Sequence, residues 1–334
     1  MKRIATLALV VSLLAAASAF ASFEGSWTAS PDEKHPERLY FSLSHRHQFN
    51  NGSTMNIAEF TGLSDAAIHA ATSTPVRFEL RREAGLVAFD GSFRNGHGAG
   101  QFTFTGNPDY VNKLRAMGID VDLRKHHRHD DDDEAITEEE TLFTMALLDV
   151  STDYIKSMRA VGYDVSLDQY LSMRIFRVTP ELVRELGSLG FRNIEADDLI
   201  TTRIHGVTPD YIRQMRAAGW NLTLDELVTS RIHGATPEFA AEMKRLGYGD
   251  LSHDRLVEFR IHGVSPKFIS DLRDLGYDHV PAEKLVEMRI FRVTPEFIRE
   301  LAKAGYKRVP VEKLVEMRMH GIDAKFLDKM SKVQ

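Results

Sequence analysis

The sequence predicts an α+β protein: a small N-terminal antiparallel β domain followed by an α-solenoid-like array of helix-pair repeats about 29 residues long. Three observations carry that reading. Arg-Ile-His-Gly, or a close variant, recurs every 28 or 29 residues through the C-terminal half. Each copy is preceded by a Thr-Pro-Glu-type helix start and a glycine-plus-aromatic break. Between Ser22 and Thr105, by contrast, apolar residues alternate with polar ones in short runs of strand type.

The chain opens on Lys2 and Arg3, an apolar run from Ile4 to Ala17, and the small residues Ala17-Ser18-Ala19-Phe20-Ala21. That layout predicts a secretory signal over 1–21, cut after Ala21 or Ala19. The apolar run is shorter than the roughly 20 residues a spanning helix needs, and no second long apolar stretch follows. The expectation is an exported chain, periplasmic or secreted, with no transmembrane segment after cleavage. Cysteine is absent, so packing alone must hold the fold, and thiolate nucleophiles, thiolate metal sites and disulfide chemistry are excluded.

Residues 22–105 form the expected β domain. Strand-type runs lie at Leu39–Ser44, Val76–Arg81, Leu86–Phe89 and Gln101–Thr105, with Phe78, Leu80, Phe102 and Phe104 sharing an inward face. Glu83-Ala84-Gly85, Gly91 and Asn95-Gly96 read as turns. The run Gly96-His-Gly-Ala-Gly100 lacks the spacing and context of a phosphate loop and reads as a glycine-rich turn.

An interrupted first repeat follows at 106–149. Asn107–Gly118 matches the first half of a unit, and an acidic insertion at 126–141 displaces the second half. His126, His127 and His129, with Asp130 and Asp131 behind them, are candidate metal ligands, since imidazole and carboxylate together suit zinc or nickel. The competing reading is a solvated charge run.

The array proper spans 150–321: Val150–Arg177, then Val178–Gly206, Val207–Gly234, Ala235–Gly263, Val264–Arg292 and Val293–Gly321, with a truncated repeat at 322–334. A hydroxyl N-cap, proline at the first helical position and an acid open the first helix, as in Thr294-Pro295-Glu296. A glycine and an aromatic, as in Gly305-Tyr306, close it. The second helix opens at Ser166, Thr223 or Ser252, or with Pro281 or Pro310 in its first turn, and ends at Gly206, Gly234, Gly263 and Gly321. Helices this short are marginal alone, so each unit must bury its apolar face on its neighbours.

Two ladders recur. Arg174, Arg203, Arg231, Arg260, Arg289 and Arg318 hold one repeat position; His205, His233, His262 and His320 hold another. A binding groove is one reading. The other is structural: the arginines bridge to carboxylates seven residues later, such as Glu181, Asp210, Glu238 and Glu296, and the histidines cap helix ends. Lys267 and Lys325 break the carboxylate pattern. The aromatics after the first helix, from Tyr163 to Tyr306, read as packing.

Charge and motifs bound the function. Residues 150–334 carry 27 acids and 28 bases, far from the basic excess that phosphate binding needs, so nucleic acid is not an expected partner. Residues 22–149 carry 21 acids and 12 bases, a net −9, of which −7 lies in His126–Thr141. His-Glu-x-x-His, Gly-x-Ser-x-Gly and Walker-type loops are missing, and His45 and His47 near Glu59 are not ordered into a site by any motif.

The unit over 293–321, Val-Thr-Pro-Glu-Phe-Ile-Arg-Glu-Leu, then Gly-Tyr, then Leu-Val-Glu-Met-Arg-Met-His-Gly, resembles a repeat of bacterial envelope proteins. It is similar to tails of some membrane metallopeptidases of the β-lactam-sensor type, over roughly residues 107–334. The zinc motif and membrane helices of those sensors are missing from this sequence, so peptidase activity does not carry over. The resemblance implies an extracytoplasmic sensing or docking part. The expected function is therefore a non-enzymatic interaction or scaffold protein, without cofactor, that docks a protein or peptide of the envelope through the array. The alternative is a small-ligand or metal sensor using the β domain and the His/Asp-rich loop.

Overall fold

The computed structural model describes residues 22–45, 49–121 and 137–331. The expected signal at 1–21 and the candidate ligands His126, His127, His129, Asp130 and Asp131 lie outside the described residues. The chain divides into two compact units, Met1–Pro180 and Glu181–Gln334.

The first unit contains one antiparallel sheet of seven strands. They are β1 (Ser22–Pro31), β2 (Arg38–His45), β3 (Phe49–Asn56), β4 (Phe60–Thr61), β5 (Thr74–Arg82), β6 (Gly85–Arg94) and β7 (His97–Gly106), in the order β3-β2-β1-β7-β6-β5-β4. The four runs expected from sequence fall in β2, β5, β6 and β7. β1, β3 and β4 were not expected, because their alternation is carried by small and polar residues. In β1 only Trp27 and Ala29 are fully buried.

Aromatic rings fill the curl of the sheet. Phe78 and Phe89 stack at 4.6 Å, Trp27 meets Phe78 edge-on at 5.3 Å, and Phe78, Leu80, Phe102 and Phe104 share the buried face as expected. The Trp27 indole donates to the carbonyls of Asp90 at 3.2 Å and Gln101 at 3.1 Å, so its one polar atom is satisfied. Asn95 (φ 50°) and Gly96 (φ 83°) make the β6–β7 turn in the left-handed region that two-residue hairpins require. Gly91 and Gly98 to Gly100 are not turns, contrary to expectation; they lie inside β6 and β7. A Cβ at Gly91 would stand 2.7 Å from the Trp27 ring, and one at Gly98 2.6 Å from the Phe93 ring. These glycines make room for rings lying across the strands.

After the single turn α1 (Asp65–Ile68) come α2 (Pro108–Ala116), α3 (Glu138–Leu148), α4 (Thr152–Arg159) and α5 (Leu167–Ile175). α2 packs on α4 and α3 on α5, which is the pairing of first helix on first helix and second on second. The acidic insertion thus separates two helices that still pack as one repeat. Phe143 of α3 stacks flat on Phe102 at 5.1 Å and meets Phe23 and Phe104, each at 5.2 Å. The sheet and the first helix pairs therefore share one core, and the change of composition near Thr105 is not a change of packing.

The β5–β6 turn latches that joint. The Thr152 amide and hydroxyl donate to the Glu83 carboxylate at 2.8 and 3.0 Å, and the Lys113 ammonium donates to it at 2.9 Å. Glu83 so caps the N-terminus of α4 from another element. Burial raises the Glu83 pKa, but the Thr152 amide, Lys113 and the Thr152 hydroxyl together hold the carboxyl below its ordinary value.

The second unit holds α6 (Pro180–Ser188) from its second residue on and α7 (Ala196–Ile204), then α8 (Pro209–Ala217) and α9 (Leu224–His233), α10 (Pro237–Arg245) and α11 (His253–His262), α12 (Pro266–Asp274) and α13 (Ala282–Ile290), α14 (Pro295–Lys303) and α15 (Val311–Met319), and α16 (Ala324–Ser331). The second helices pack in succession, α7 to α9 to α11 to α13 to α15, and α12, α14 and α16 form a parallel row. Thr208, Thr236, Ser265 and Thr294 each accept the amide three residues on, at 3.1–3.2 Å, with proline inside the first turn. Pro281 and Pro310 sit at the N-cap itself, one step earlier than expected. Leu256, Phe259, Leu272, Leu285, Met288, Leu301 and Leu314 are fully buried, each worth about 1.5–3 kcal/mol of transfer free energy.

Glu83→Gln tests the latch. A carboxyl held low contributes fully above its ordinary value of 4.5 and loses that contribution as pH falls through the lowered one. We expect the variant to lose about 1–2 kcal/mol at neutral pH. Thermal unfolding followed down to about pH 3 should show the gap to wild type closing as Glu83 protonates.

Candidate functional site

Every second helix ends with carbonyls that no residue of its own helix can satisfy. The ladder arginine of the next repeat reaches them. Arg174 Nε donates to Leu148 O at 2.7 Å, Arg231 to Gly206 O at 3.0 Å, Arg289 to His262 O at 3.3 Å and Arg318 to Phe291 O at 3.4 Å. A cation at this end of a helix also meets the negative pole of the dipole.

The same guanidinium lies on a ring of the first helix of its own repeat. Arg174 lies over Tyr154 at 4.8 Å, Arg231 over Tyr211 at 4.4 Å, Arg260 over Phe239 at 4.9 Å, and Arg289 over Phe268 and Arg318 over Phe297 at 5.1 Å. Burial pushes the Tyr154 phenol up to about 12 despite Arg174, so it stays a neutral donor to Val178 O at 3.0 Å. At Arg203 the position of the ring is held by Leu182.

The terminal glycines serve this contact twice. Gly206, Gly234, Gly263 and Gly321 adopt φ of 67–72°, and a Cβ at the first three would stand 3.0–3.1 Å from an arginine Nη2 of the next repeat. Asp149 (φ 53°), Arg177 (φ 55°) and Arg292 (φ 56°) take the same backbone conformation with a side chain, at a steric cost.

Two sequence expectations change accordingly. The hydrogen bond of Arg174, Arg231, Arg289 and Arg318 goes to a helix-end carbonyl, not to a carboxylate seven residues on. Only Arg174 adds an ion pair among these four in the described residues, to Asp149 at 3.5 Å. The cation at the helix end is this arginine rather than a histidine; among the described residues the His205, His233, His262 and His320 side chains make no hydrogen bond, and His233 and His320 are exposed. A second series was missed altogether. Arg159, Arg216 and Arg273 donate to Met117 O, Leu189 O and Leu246 O at 2.9, 2.7 and 3.3 Å, closing the first helices in the same way. Of the aromatics that follow those helices, Tyr248 and Tyr277 donate to Val280 O and Val309 O at 2.7 and 2.8 Å, so these two tie one repeat to the next.

What this scaffold leaves over is an exposed aliphatic side chain one residue after each arginine. Ile175 in the first unit is 54% exposed, and Ile204, Ile232, Ile261, Ile290 and Met319 in the second are 51, 54, 55, 50 and 58% exposed. Ile261 follows the buried Val257 by four residues, the spacing of one helix face, yet stays exposed. Its exposure depends on where the neighbouring helix ends, which no local rule reports. Beside these aliphatic side chains, the guanidiniums of Arg231, Arg260, Arg289 and Arg318 have no carboxylate within 4.0 Å among the described residues.

Other clusters close on themselves. Ser230 Oγ and His253 Nε2 are 2.8 Å apart, with Glu226 4.0 Å and Asp254 3.7 Å from Nδ1. That grouping has the residue types of a hydrolytic triad, but the Ser230 side chain is wholly buried and the pair spans two packed helices. Ser230 is small where the next two repeats have Phe259 and Met288, and His253 is large where the next has Ala282, so the pair conserves volume. His45 Nδ1 lies 2.6 Å from Glu24 O and its ring rests on Phe23, while Glu59 pairs with Arg82. His47 lies outside the described residues. On the exposed face of the sheet the ionised groups pair, Arg77 with Asp90 at 2.5 Å. Among the described residues no cluster of three or more His, Cys, Asp or Glu could hold a metal, and no helix is long and apolar enough to cross a membrane.

No protein-family model matches the chain, and neither curated proteins nor solved structures give a match.

The left-handed helix ends give a paired test. Gly234→Ala should cost about 1–2 kcal/mol, through the backbone and through the Arg260 guanidinium against the new methyl. Arg292→Gly should instead gain about 0.5–1 kcal/mol. Urea midpoints of the two variants check both signs; a destabilised Arg292→Gly would mean that its side chain outweighs its backbone strain.

Proposed function

We propose that this chain is an exported, non-enzymatic docking protein that binds a protein or peptide of the cell envelope through its helical array. The observation that carries the reading is the exposed aliphatic row of Ile204, Ile232, Ile261, Ile290 and Met319 in the second unit. Single exposed apolar residues need no explanation, but a recurring line of them, rimmed by polar groups, marks an interaction surface. Stacked short repeats present such a line on successive helices. The near-neutral charge of 150–334 favours a protein partner over nucleic acid. The basic, apolar and small-residue start of the chain supports export.

A photo-reactive benzoylphenylalanine at position 261, with one at the exposed Lys303 as control, tests the proposal in envelope preparations. We expect a discrete adduct from position 261 and none from position 303. Its absence, or equal diffuse labelling from both, would overturn the docking reading.

A further inference from the structure

Resting on that docking reading, we infer that the ridge of the second unit binds an extended acidic peptide in the polyproline II conformation, with one carboxylate at every third residue. At Arg231, Arg260, Arg289 and Arg318 the guanidinium is fixed by its ring beneath, and at three of these also by a helix-end carbonyl at its Nε edge. A guanidinium carries five donors in a rigid fork, so one hydrogen bond at Nε leaves the terminal nitrogens for an incoming group. With no carboxylate within 4.0 Å among the described residues, that group is an anion. One residue further along each helix stands Ile232, Ile261, Ile290 or Met319, half exposed. Each rung thus supplies one oriented cation and one aliphatic surface.

Three features raise the positive character of the row. Lys267 occupies the position seven residues after Arg260, where Glu238 follows Arg231. Arg292, two residues after Ile290, is exposed and held at φ 56°, a conformation that glycine takes at the neighbouring repeats without strain. His233 and His320 add polar donors beside the aliphatic side chains.

Spacing selects the conformation of the ligand. Packed helices lie about 8–10 Å apart, so successive rungs repeat at about that distance. A β-strand covers about 10 Å in three residues, but its side chains alternate, so the third residue points to the opposite face. A polyproline II helix rises about 3.1 Å per residue with three residues per turn, so every third side chain returns to one face after about 9 Å. Its fixed backbone also lowers the entropy lost on binding. A tripeptide period of one acid and two apolar residues sets a carboxylate on each arginine and apolar rings on each isoleucine.

Fluorescence anisotropy with the full-length chain and labelled (Glu-Pro-Pro)6 measures the inference directly, with (Lys-Pro-Pro)6 and the strand-forming (Glu-Val)9 as comparisons. We expect saturable binding of (Glu-Pro-Pro)6, no binding of (Lys-Pro-Pro)6, and at least about 5-fold weaker binding of (Glu-Val)9. The triple variant Ile232→Ser, Ile261→Ser and Ile290→Ser should weaken (Glu-Pro-Pro)6 about 10-fold or more. Because these side chains are half exposed, its thermal unfolding should stay close to wild type, which separates loss of binding from loss of fold. Equal binding of the acidic and basic peptides, preference for (Glu-Val)9, or indifference to the triple variant would each overturn the inference. If (Glu-Pro-Pro)6 fails to bind while position 261 still captures an envelope partner, the docking reading stands and this ligand chemistry falls. If neither occurs, both fall.

Discussion

The second helices are nine or ten residues long, and a helix of that length does not persist alone in water. Its apolar face needs a neighbour, and its last carbonyls need donors that its own sequence cannot supply. Both come from the following repeat. The apolar face packs on the next second helix, and the next arginine donates to the helix end while resting on the ring of its own first helix. One side chain therefore joins three elements: the preceding second helix, its own second helix and its own first helix. Stability of such an array is a sum of repeats and nearest-neighbour junctions, and the arginine is the polar half of the junctions at Arg174, Arg231, Arg289 and Arg318.

That constraint explains which positions vary. Glycine holds the left-handed helix end at Gly206, Gly234 and Gly263, where a guanidinium crosses close above it, while Asp149 and Arg292 hold the same end with a side chain. The residue beneath the arginine is Tyr or Phe in five repeats and aliphatic at Leu182. The β-sheet solves a related problem with the same residue. Gly25, Gly91 and Gly98 leave out a Cβ where a Phe or Trp ring crosses the strand. In the first unit the two systems meet through Phe143, which places a repeat helix against the aromatic core of the sheet, and through Glu83, which caps a repeat helix from a hairpin.

Legibility in the sequence followed the range of the interaction. Thr236 and Thr294 could be read as caps, Pro237 and Pro295 as first-turn residues and Gly234 as a helix end, because each rule acts within a few residues. The strands at Phe78–Leu80 and Phe102–Phe104 were legible for the same reason. The partner of the ladder arginine was not, since it lies 25 to 27 residues away in the chain and is a backbone atom without identity. The sequence offered carboxylates seven residues on, and the fold used carbonyls. Gly91 illustrates the converse: as a lone glycine it reads as a turn, and only the Trp27 ring above it explains its place inside a strand.

The exposed isoleucines are what the packing of the repeats leaves unexplained, and they bear on how the array avoids associating with itself. A continuous aliphatic line on an array of repeats invites association between copies. Here each aliphatic side chain directly follows an arginine fixed in place by its ring, so two such rows brought face to face would bring cations together in a poorly hydrated contact. The charge that disfavours a second copy is also the one the proposed acidic peptide would meet. Arg260 and Ile261 are neighbours in sequence, yet one is fixed by the needs of the fold and the other is free of them. The fold accounts for Arg260, while at Ile261 the same helical position recurs with no packing reason to keep it apolar.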